Sequence, residues 1–593
     1  MEPLQNILCA KDATLDANTN LISVVLRVFK YWLQRAFPRV YSVKSSTIRA
    51  LYNSFTFCYN NNLFDKIKSL EANSKIVKQK SKTNILFYSV RQDPLHTVWN
   101  YVISSALKQR GHKVKVISCD GLIKNGCNEG WYPSLSNSSC KQCYKFVDKA
   151  LSNSNLDLDY LGDYTSLKES GNWLGGEKIK EWKEAVKILN DVSLEDYESF
   201  IYEGIELKTV VRDSVTHFLR VENYKQDIKI NPHSQKIFKD FLIAAIMMIN
   251  ISKRILIKNK PEVIVMLNGR FMAERVLFEI AKKQKIRVVV YETGLMPDTM
   301  VFVHNEYIDY RNLGDWEKYK NIELNVNQEE KVHEYLVQRI AGAGQAHDYW
   351  KHQEEDKLKI MKALNLDSSR AVAVLFPNVL WDSALQDINH CFINAKEWIK
   401  STIQFFSLNR NLQLIIRIHP AELYWPGTYR DSLEIWIKEK YGNRLPSNIK
   451  IVSAKSDMSS YTLMKLSDVG IVANSTTGLE MALMGKPVIV TEKAHYWGRG
   501  FTLDPMDEDG YHKVIKDVMS GKVGTRVNTL LAKRYFYYIF FRASLKLKYI
   551  YSNNLRKIPP ILNMNSLSEL MSGNDSNLDA ICDGILSGKP FIN

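Results

Sequence analysis

The sequence predicts an α/β protein built from two doubly wound, parallel-sheet units, with helical extensions before and after them. Three observations carry that expectation. Short apolar runs alternate with helical stretches along two separate tracts, which is the pattern of sheets covered on both faces. The chain has 593 residues, more than a single core usually supports. Its 45% apolar and 24% charged residues, with 30 Tyr and 12 Trp, exclude an intrinsically disordered chain.

Residues 1–80 show no strand pattern and are expected to form a helical N-terminal extension. At Asn84 the run NILFYSV begins, followed by a helical segment from His96 to Arg110 and by KVKVIS, Lys113 to Ser118. Strand, helix and strand in so few residues make a right-handed crossover, with Gly111 terminating the helix. A polar region up to about Tyr197 reads as an insertion. Helical periodicity returns from Phe238 to Ile257, then strands at Glu262–Leu267, Arg287–Tyr291 and Met300–His304 flank a helix from Phe271 to Gln284. The first unit is therefore placed at 81–335.

Ala341 to Lys357 reads as a connection. Its AGAG follows no strand, so it is not a phosphate loop. A second alternation supplies five strands: Ala371–Phe376, Leu412–Ile418, Ile449–Ser453, Val469–Ala473 and Pro487–Thr491. This second unit is placed at 336–520, and residues 521–593 form a basic, aromatic helical tail.

The formal charge is +16, concentrated in two blocks that interleave cations with aromatics, Arg27 to Arg49 and Lys533 to Lys557. Such helices suit an anionic membrane surface or pack their rings inward. No nucleic-acid recognition module accompanies the charge, so nucleic acid is not expected as a partner. No stretch reaches the roughly 18 apolar residues that span a bilayer, and the start of the chain lacks a signal-peptide layout. The protein is expected to be cytoplasmic, on the inner membrane face. Four of the eight cysteines, Cys119, Cys127, Cys140 and Cys143, cluster and are candidates for a structural Zn²⁺, with free thiols as the alternative.

The chemistry concentrates in the second unit. A strand from Val469 ends in Asn474-Ser475-Thr476-Thr477-Gly478, and a helix containing Glu480 follows. Such a turn offers backbone N–H groups, hydroxyls and a positive helix end to an anion. About fifty residues upstream, RIHP (Arg417 to Pro420) puts His419 just beyond another strand, so both features are expected to face one phosphate-binding crevice. A base would come from the first unit, from a carboxylate just past a strand end. Glu292 is favoured, with Asp298 and Asp93 as the other candidates, and Asn268 and Arg270 are candidates for gripping an acceptor or a donor carboxylate. Two D-x-D strings, Asp157–Asp159 and Asp507–Asp509, do not follow buried strands in the context a metal–nucleotide site requires.

These residues carry a family resemblance. ALKQRGHKVKVIS resembles the opening crossover of GT-B glycosyltransferases, and RIHP with NSTTGLEMALMGKPVIV resembles the donor half of that fold. The histidine–proline pair followed by a Ser/Thr cluster is similar to bacterial capsule polysaccharide biosynthesis proteins, the Kdo-transferase type included, and to GT-B sialyltransferases. Tyr496 to Gly500 resembles the Y-x-x-x-G segment of the capsule family.

The resemblance implies that His419, aimed by Pro420, contacts the donor phosphate and supports the leaving nucleotide. Ser475 and Thr476, with Asn474 and Thr477 beside them, would hydrogen-bond the same phosphate, Arg417 would approach it, and Glu480 would sit near the ribose. No catalytic metal is then required. The implied activity is transfer of a sugar from a nucleotide-sugar donor, CMP-Kdo or a related acidic sugar, to a glycan or glycolipid acceptor of capsule or lipopolysaccharide type. The alternatives are a polyol-phosphate transferase of the teichoic-acid kind and a non-catalytic assembly or export factor on the same fold.

Overall fold

The structure is a computed structural model, and it describes residues 60–73, 83–91, 94–128, 137–166, 177, 179–193, 196–340, 355–382, 390–424, 431–521, 527–552 and 559–592. The basic block from Arg27 to Arg49 and the candidate Asp93 lie outside them. Of the expected helical extension, residues 60–72 are described and are helical.

The first sheet starts with strand β1 (Asn84–Ser89), helix α1 (Pro94–Gln109) and strand β2 (Lys113–Ser118). Helix α2 (Asn137–Ser152) leads to β3 (Asp157–Tyr160). Helices α3 (Leu207–Leu219) and α4 (Pro232–Asn259) cover one face. Strand β4 (Val263–Leu267), helix α5 (Met272–Lys283), β5 (Arg287–Thr293) and β6 (Thr299–His304) follow. In space β3, β2, β1, β4 and β5 run parallel, with β6 antiparallel beside β5. Alternate residues feed opposite cores: Leu86 and Tyr88 pack on one face of β1, Ile85 and Phe87 on the other. That is the period-two rule applied to a strand buried on both sides.

The second sheet contains β7 (Val372–Phe376), β8 (Gln413–Arg417), β9 (Ile449–Val452), β10 (Val469–Val472) and β11 (Val488–Val490). Its spatial order is β9-β8-β7-β10-β11, all parallel. The strand order reverses between β7 and β10, so the turns after these strands flank the crevice where ligands of doubly wound sheets sit. Helix α6 (Val326–Ile340) precedes this sheet. The covering helices are α7 (Ala395–Leu408), α8 (Leu433–Tyr441), α9 (Ser460–Leu466), α10 (Thr476–Leu483) and α11 (Glu508–Met519).

The tips of the two sheets face each other. Trp381, just past β7, lies 5.6 Å from the His217 ring of α3, and the Arg220 guanidinium sits 4.0 Å over its indole. Tyr310, which donates to the Thr293 carbonyl at the end of β5, approaches His495 beyond β11 at 6.3 Å. Two doubly wound sheets with opposed tips are the GT-B arrangement the sequence predicts.

The tail departs from the expectation of a separate helical appendage. Helix α12 (Thr529–Tyr537) packs on α10 and α6, a π-helical turn follows at Tyr538–Arg542, and β12 (Leu545–Lys546) then joins the first sheet antiparallel to β6. Helix α13 (Ser576–Ser587) closes against α1, and Phe591 stacks on His304 at 4.6 Å. Several aromatics of the second basic block are core residues: Tyr535, Phe536, Tyr538 and Phe540 are each at most 2% exposed, whereas Tyr551 is 44% exposed. Burying those rings outweighs displaying them, so these four pack inward, the second of the two expected arrangements. Among the described residues no helix is long and apolar enough to cross a membrane.

Candidate functional site

The site is built from the tips of the second sheet. All five residues of β8 are buried, and Ile418 extends it by donating to the Val452 carbonyl at 2.9 Å. The chain then turns at His419, whose Nδ1 accepts the Ala421 N–H at 3.0 Å. That bond leaves the ring proton on Nε2. Burial, reinforced by the Arg417 charge, pushes the imidazole down to about 4, so His419 is neutral at physiological pH and presents an N–H donor. Pro420 follows it in the turn, as the sequence suggests.

Arg417 does something else than expected. Its guanidinium donates to the carbonyls of Ser453 and Ser456 in the turn after β9, and the residue is 2% exposed. Burial lowers it to about 10, against the opposing pull of Asp457 and Glu434. It braces two strand ends and does not face a donor phosphate.

The hydroxyl cluster forms the N-terminus of α10. Ser475 is the N-cap, its Oγ accepting from Thr477 N at 3.3 Å and from Thr477 Oγ1 at 2.7 Å. Asn474 N donates to Asn378 Oδ1 at 3.3 Å, tying this turn to the one after β7. Tyr496 donates its hydroxyl to the Ser475 carbonyl. Gly478 is required beneath that phenol: a Cβ there would run into Tyr496 Oη and come within 2.9 Å of Val472 Cγ2. Asn474, Ser475, Thr476 and Thr477 all stay partly exposed.

Glu480 is the second correction. It lies one turn into α10, 1% exposed, and its Oε1 accepts from Tyr335 at 3.0 Å and Arg339 at 3.2 Å, both on α6. A carboxylate held inside a helix–helix contact is not available to a ribose.

On the first domain, Glu292 sits near the end of β5. Its Oε2 accepts from Asn268 Nδ2 at 2.6 Å and its Oε1 from Thr293 N at 2.8 Å. Asn268 and Gly269 adopt positive φ of 59° and 72°, a turn that Asn and Gly tolerate and that aims the amide at the carboxylate. Asn268 and Glu292 are thus brought together, half-buried. Arg270 is 7% exposed, bonded to Asp213 at 3.3 Å and to the Ile308 carbonyl at 3.1 Å, which makes it a scaffold residue and not an acceptor contact. Asp298 accepts from Ser552 N at 3.1 Å and pairs with Lys546 at 3.7 Å, so it anchors the tail and is not placed as a base.

Both D-x-D strings serve the scaffold. Asp157 and Asp159 pair with Lys115 at 3.0 and 2.9 Å, and Asp507 caps α11 through Gly510 N at 2.8 Å. Cys119 is buried, its Sγ accepting from Gly121 N at 3.3 Å. Burial, then Asp120, raises its thiol well above the usual range. Cys127, Cys140 and Cys143 are partly exposed. Among the described residues no group of three such side chains is placed to hold a metal ion.

The structure adds Glu492, which the sequence reading passed over. It follows β11, is 5% exposed, accepts from His390 N at 2.5 Å, and is pushed up to about 8 by burial. It lines a cleft of about 620 Å³ with Asn378, Ala473 and Trp398, which Glu222 of the first domain also borders. The signal was available, since PVIVTE is a strand followed by a carboxylate, the same pattern that singled out Glu292.

A stability prediction follows. Between about 4.5 and 8 the folded protein holds a proton on Glu492 that the unfolded chain has released, so this residue lowers stability as pH rises through 8. Glu492→Gln is expected to melt like wild type at pH 4 and to be more stable by about 2 kcal/mol at pH 9, a value reduced for hydration from the cleft. Denaturant melts at both pH values check it.

Two doubly wound domains facing across a cleft, one carrying a hydroxyl-rich turn at a helix N-terminus and a neutral imidazole, have the GT-B arrangement. Residues 290–541 match the family model of capsule polysaccharide biosynthesis proteins, a span that includes Glu292, His419, the hydroxyl turn and Tyr496. The resemblance read from the motifs is borne out over that span.

Among solved structures, the chain is similar to the beta Kdo 2,4 transferase of Thermosulfurimonas dismutans KpsC, at 11% identity and TM-score 0.32, covering 47% of this chain and 79% of that one. The beta Kdo 2,7 transferase of the same protein gives 14% identity and TM-score 0.27 over 52% and 85%. The UDP-GlcNAc 2-epimerase of Neisseria meningitidis gives 10% identity and TM-score 0.24 over 76% and 98%. A sequence search of curated proteins finds no match. The fold assignment rests on the strand order and register described above.

Proposed function

We propose that this protein is a glycosyltransferase that moves a sugar from a nucleotide donor to a capsule-type glycan. The observation that carries the reading is the pairing, at the tips of one doubly wound sheet, of the hydroxyl turn Ser475–Thr477 with a neutral His419 whose Nε2–H is set by the Ala421 bond. Sugar transfer builds negative charge on the departing phosphate oxygen, and preorganised neutral donors stabilise that charge as it develops. The acceptor hydroxyl attacks the anomeric carbon, the carbon–oxygen bond to the phosphate breaks, and the hydroxyl proton passes to a carboxylate of the first domain. Glu292, oriented by Asn268, is the base proposed.

The motif resemblance favours a CMP-linked acidic sugar of the Kdo type as donor. A thermal-shift panel of CMP, UDP, GDP and CDP-glycerol separates the donor classes. CMP is expected to stabilise the protein in the wild type and less in Ser475→Ala. Stabilisation by UDP or CDP-glycerol alone would overturn the donor assignment, and no shift with any nucleotide would overturn the transferase reading.

A further inference from the structure

The end of the first sheet opposite the cleft gathers cations that the fold uses only in part: Arg287 donates to the Leu586 carbonyl of α13 at 2.8 Å and Lys283 to the hairpin, while Lys282 and Lys285 are not used by the proposed catalysis. Helix α5 ends there with Lys282 and Lys283, and Lys285 and Arg287 open β5. A hairpin, Ile201–Tyr202 with Ile205–Glu206, is tied to this edge because Lys283 Nζ donates to the Gly204 carbonyl. Helix α4 reaches the same hairpin, where Lys253 pairs with Glu203 at 2.6 Å and Asn250 bonds Tyr202. One turn beyond Lys253, Ile257 is 72% exposed, and Ile201 on the hairpin is 63% exposed.

Lysines at helix C-termini complement the macrodipole, and that alone would account for Lys282 and Lys283. It does not account for two aliphatic side chains standing in water beside them. Nor does it account for a recess of about 300 Å³ lined by Lys282, Lys285 and Arg287 above Phe278, Ile286 and Val288. No carboxylate lines this recess. Glu262 is within electrostatic reach of Arg287, whereas Lys260, Lys282, Lys283 and Lys285 form no ion pair among the described residues.

Cations round an apolar floor, flanked by protruding isoleucines, match an anionic headgroup with acyl chains beneath it. We infer that this edge docks on an anionic lipid surface, with Ile201 and Ile257 entering the headgroup boundary and Lys282, Lys285 and Arg287 receiving a lipid phosphate. The membrane contact thereby falls on the first domain and not on the aromatic tail.

Vesicle co-sedimentation of the full chain tests this. The protein is expected to sediment with phosphatidylcholine vesicles containing about a quarter phosphatidylglycerol, not with pure phosphatidylcholine, and to be released by roughly 0.5 M salt. Lys282→Gln with Lys285→Gln, and separately Ile201→Asp with Ile257→Asp, should each lower partitioning about tenfold while leaving the nucleotide shift unchanged and the protein folded, the lysine pair losing only the small helix-end contribution to melting temperature. Failure of wild type to bind anionic vesicles, or equal binding of neutral ones, would overturn the inference. So would variants that sediment like wild type, which would assign binding to another surface, and release by soluble glycerol phosphate, which would make the recess a site for a free phosphate ester.

Discussion

Replacing His419 by alanine is expected to lower sugar transfer roughly 10²-fold or more while the protein still folds, the size of effect seen when one preorganised donor to a developing oxyanion is removed. The ring has two separable jobs. Nδ1 receives the Ala421 N–H and holds the turn, and Nε2–H is the proposed donor to the leaving phosphate. His419→Asn separates them, because a side-chain amide oxygen can still receive the Ala421 N–H but cannot extend a donor to where Nε2 stands. Both variants should lose kcat with a small change in KM for the donor. Wild-type turnover in His419→Ala would sink the leaving-group role. Loss in alanine with full activity in asparagine would reduce the histidine to a turn former.

The pH response supports the same distinction. His419 at about 4 and His495 at about 3 lie below the ordinary histidine value of 6.5. The unfolded chain therefore takes up protons that the folded one refuses between those limits. Their contribution to stability is present above about 6.5 and is lost as the pH falls toward 3. Transfer that depends on a neutral ring should accordingly show no acid limb from His419 until well below pH 5.

Glu480→Ala is expected to be the most destabilising single change at the site, by about 3 to 5 kcal/mol. The carboxylate and Arg339 are 1% and 11% exposed at their side chains and lie 3.2 Å apart, with Tyr335 as a third member. Removing the acid leaves a buried guanidinium without its partner, which costs more than the pair itself is worth. The double variant Glu480→Leu with Arg339→Met should recover most of the loss. Chemical denaturation of the three proteins decides the matter. Equal stability of Glu480→Ala and wild type would show that the acid is spared for a ligand after all.

These two residues also show where the sequence was readable and where it was not. The strands were legible because each is a short run dominated by apolar residues between polar flanks, and Asn84–Ser89, Lys113–Ser118 and Ile449–Val452 fall where the pattern puts them. Strand β3 was not, because DLDY is an edge strand whose two aspartates alternate with apolar residues and pair with Lys115. Strand β12 was hidden within a tail that reads as helix, its pairing with β6 reaching back some 245 residues in sequence.

The hydroxyl turn and His419 could be assigned from local order alone, since strand, turn and helix fix them. The fates of Arg417 and Glu480 depended on partners in other elements, Ser453 and Ser456 for one and Arg339 for the other. Nothing in RIHP or TTGLE announces those partners.

The return of the tail has one further consequence. The polypeptide passes between the two domains twice, once through the segment containing α6 and once from α12 to β12, and the passages lie side by side, with Tyr335 of α6 4.7 Å from Phe536 of α12 and 5.2 Å from Phe540. A single tether would let the halves swivel freely. Two tethers pinned together by aromatic rings leave fewer ways for the halves to turn against each other than one tether would. Helix α10, which presents the hydroxyl turn, rests directly on those pins through Glu480, so its angle toward the first domain is set at the pivot itself.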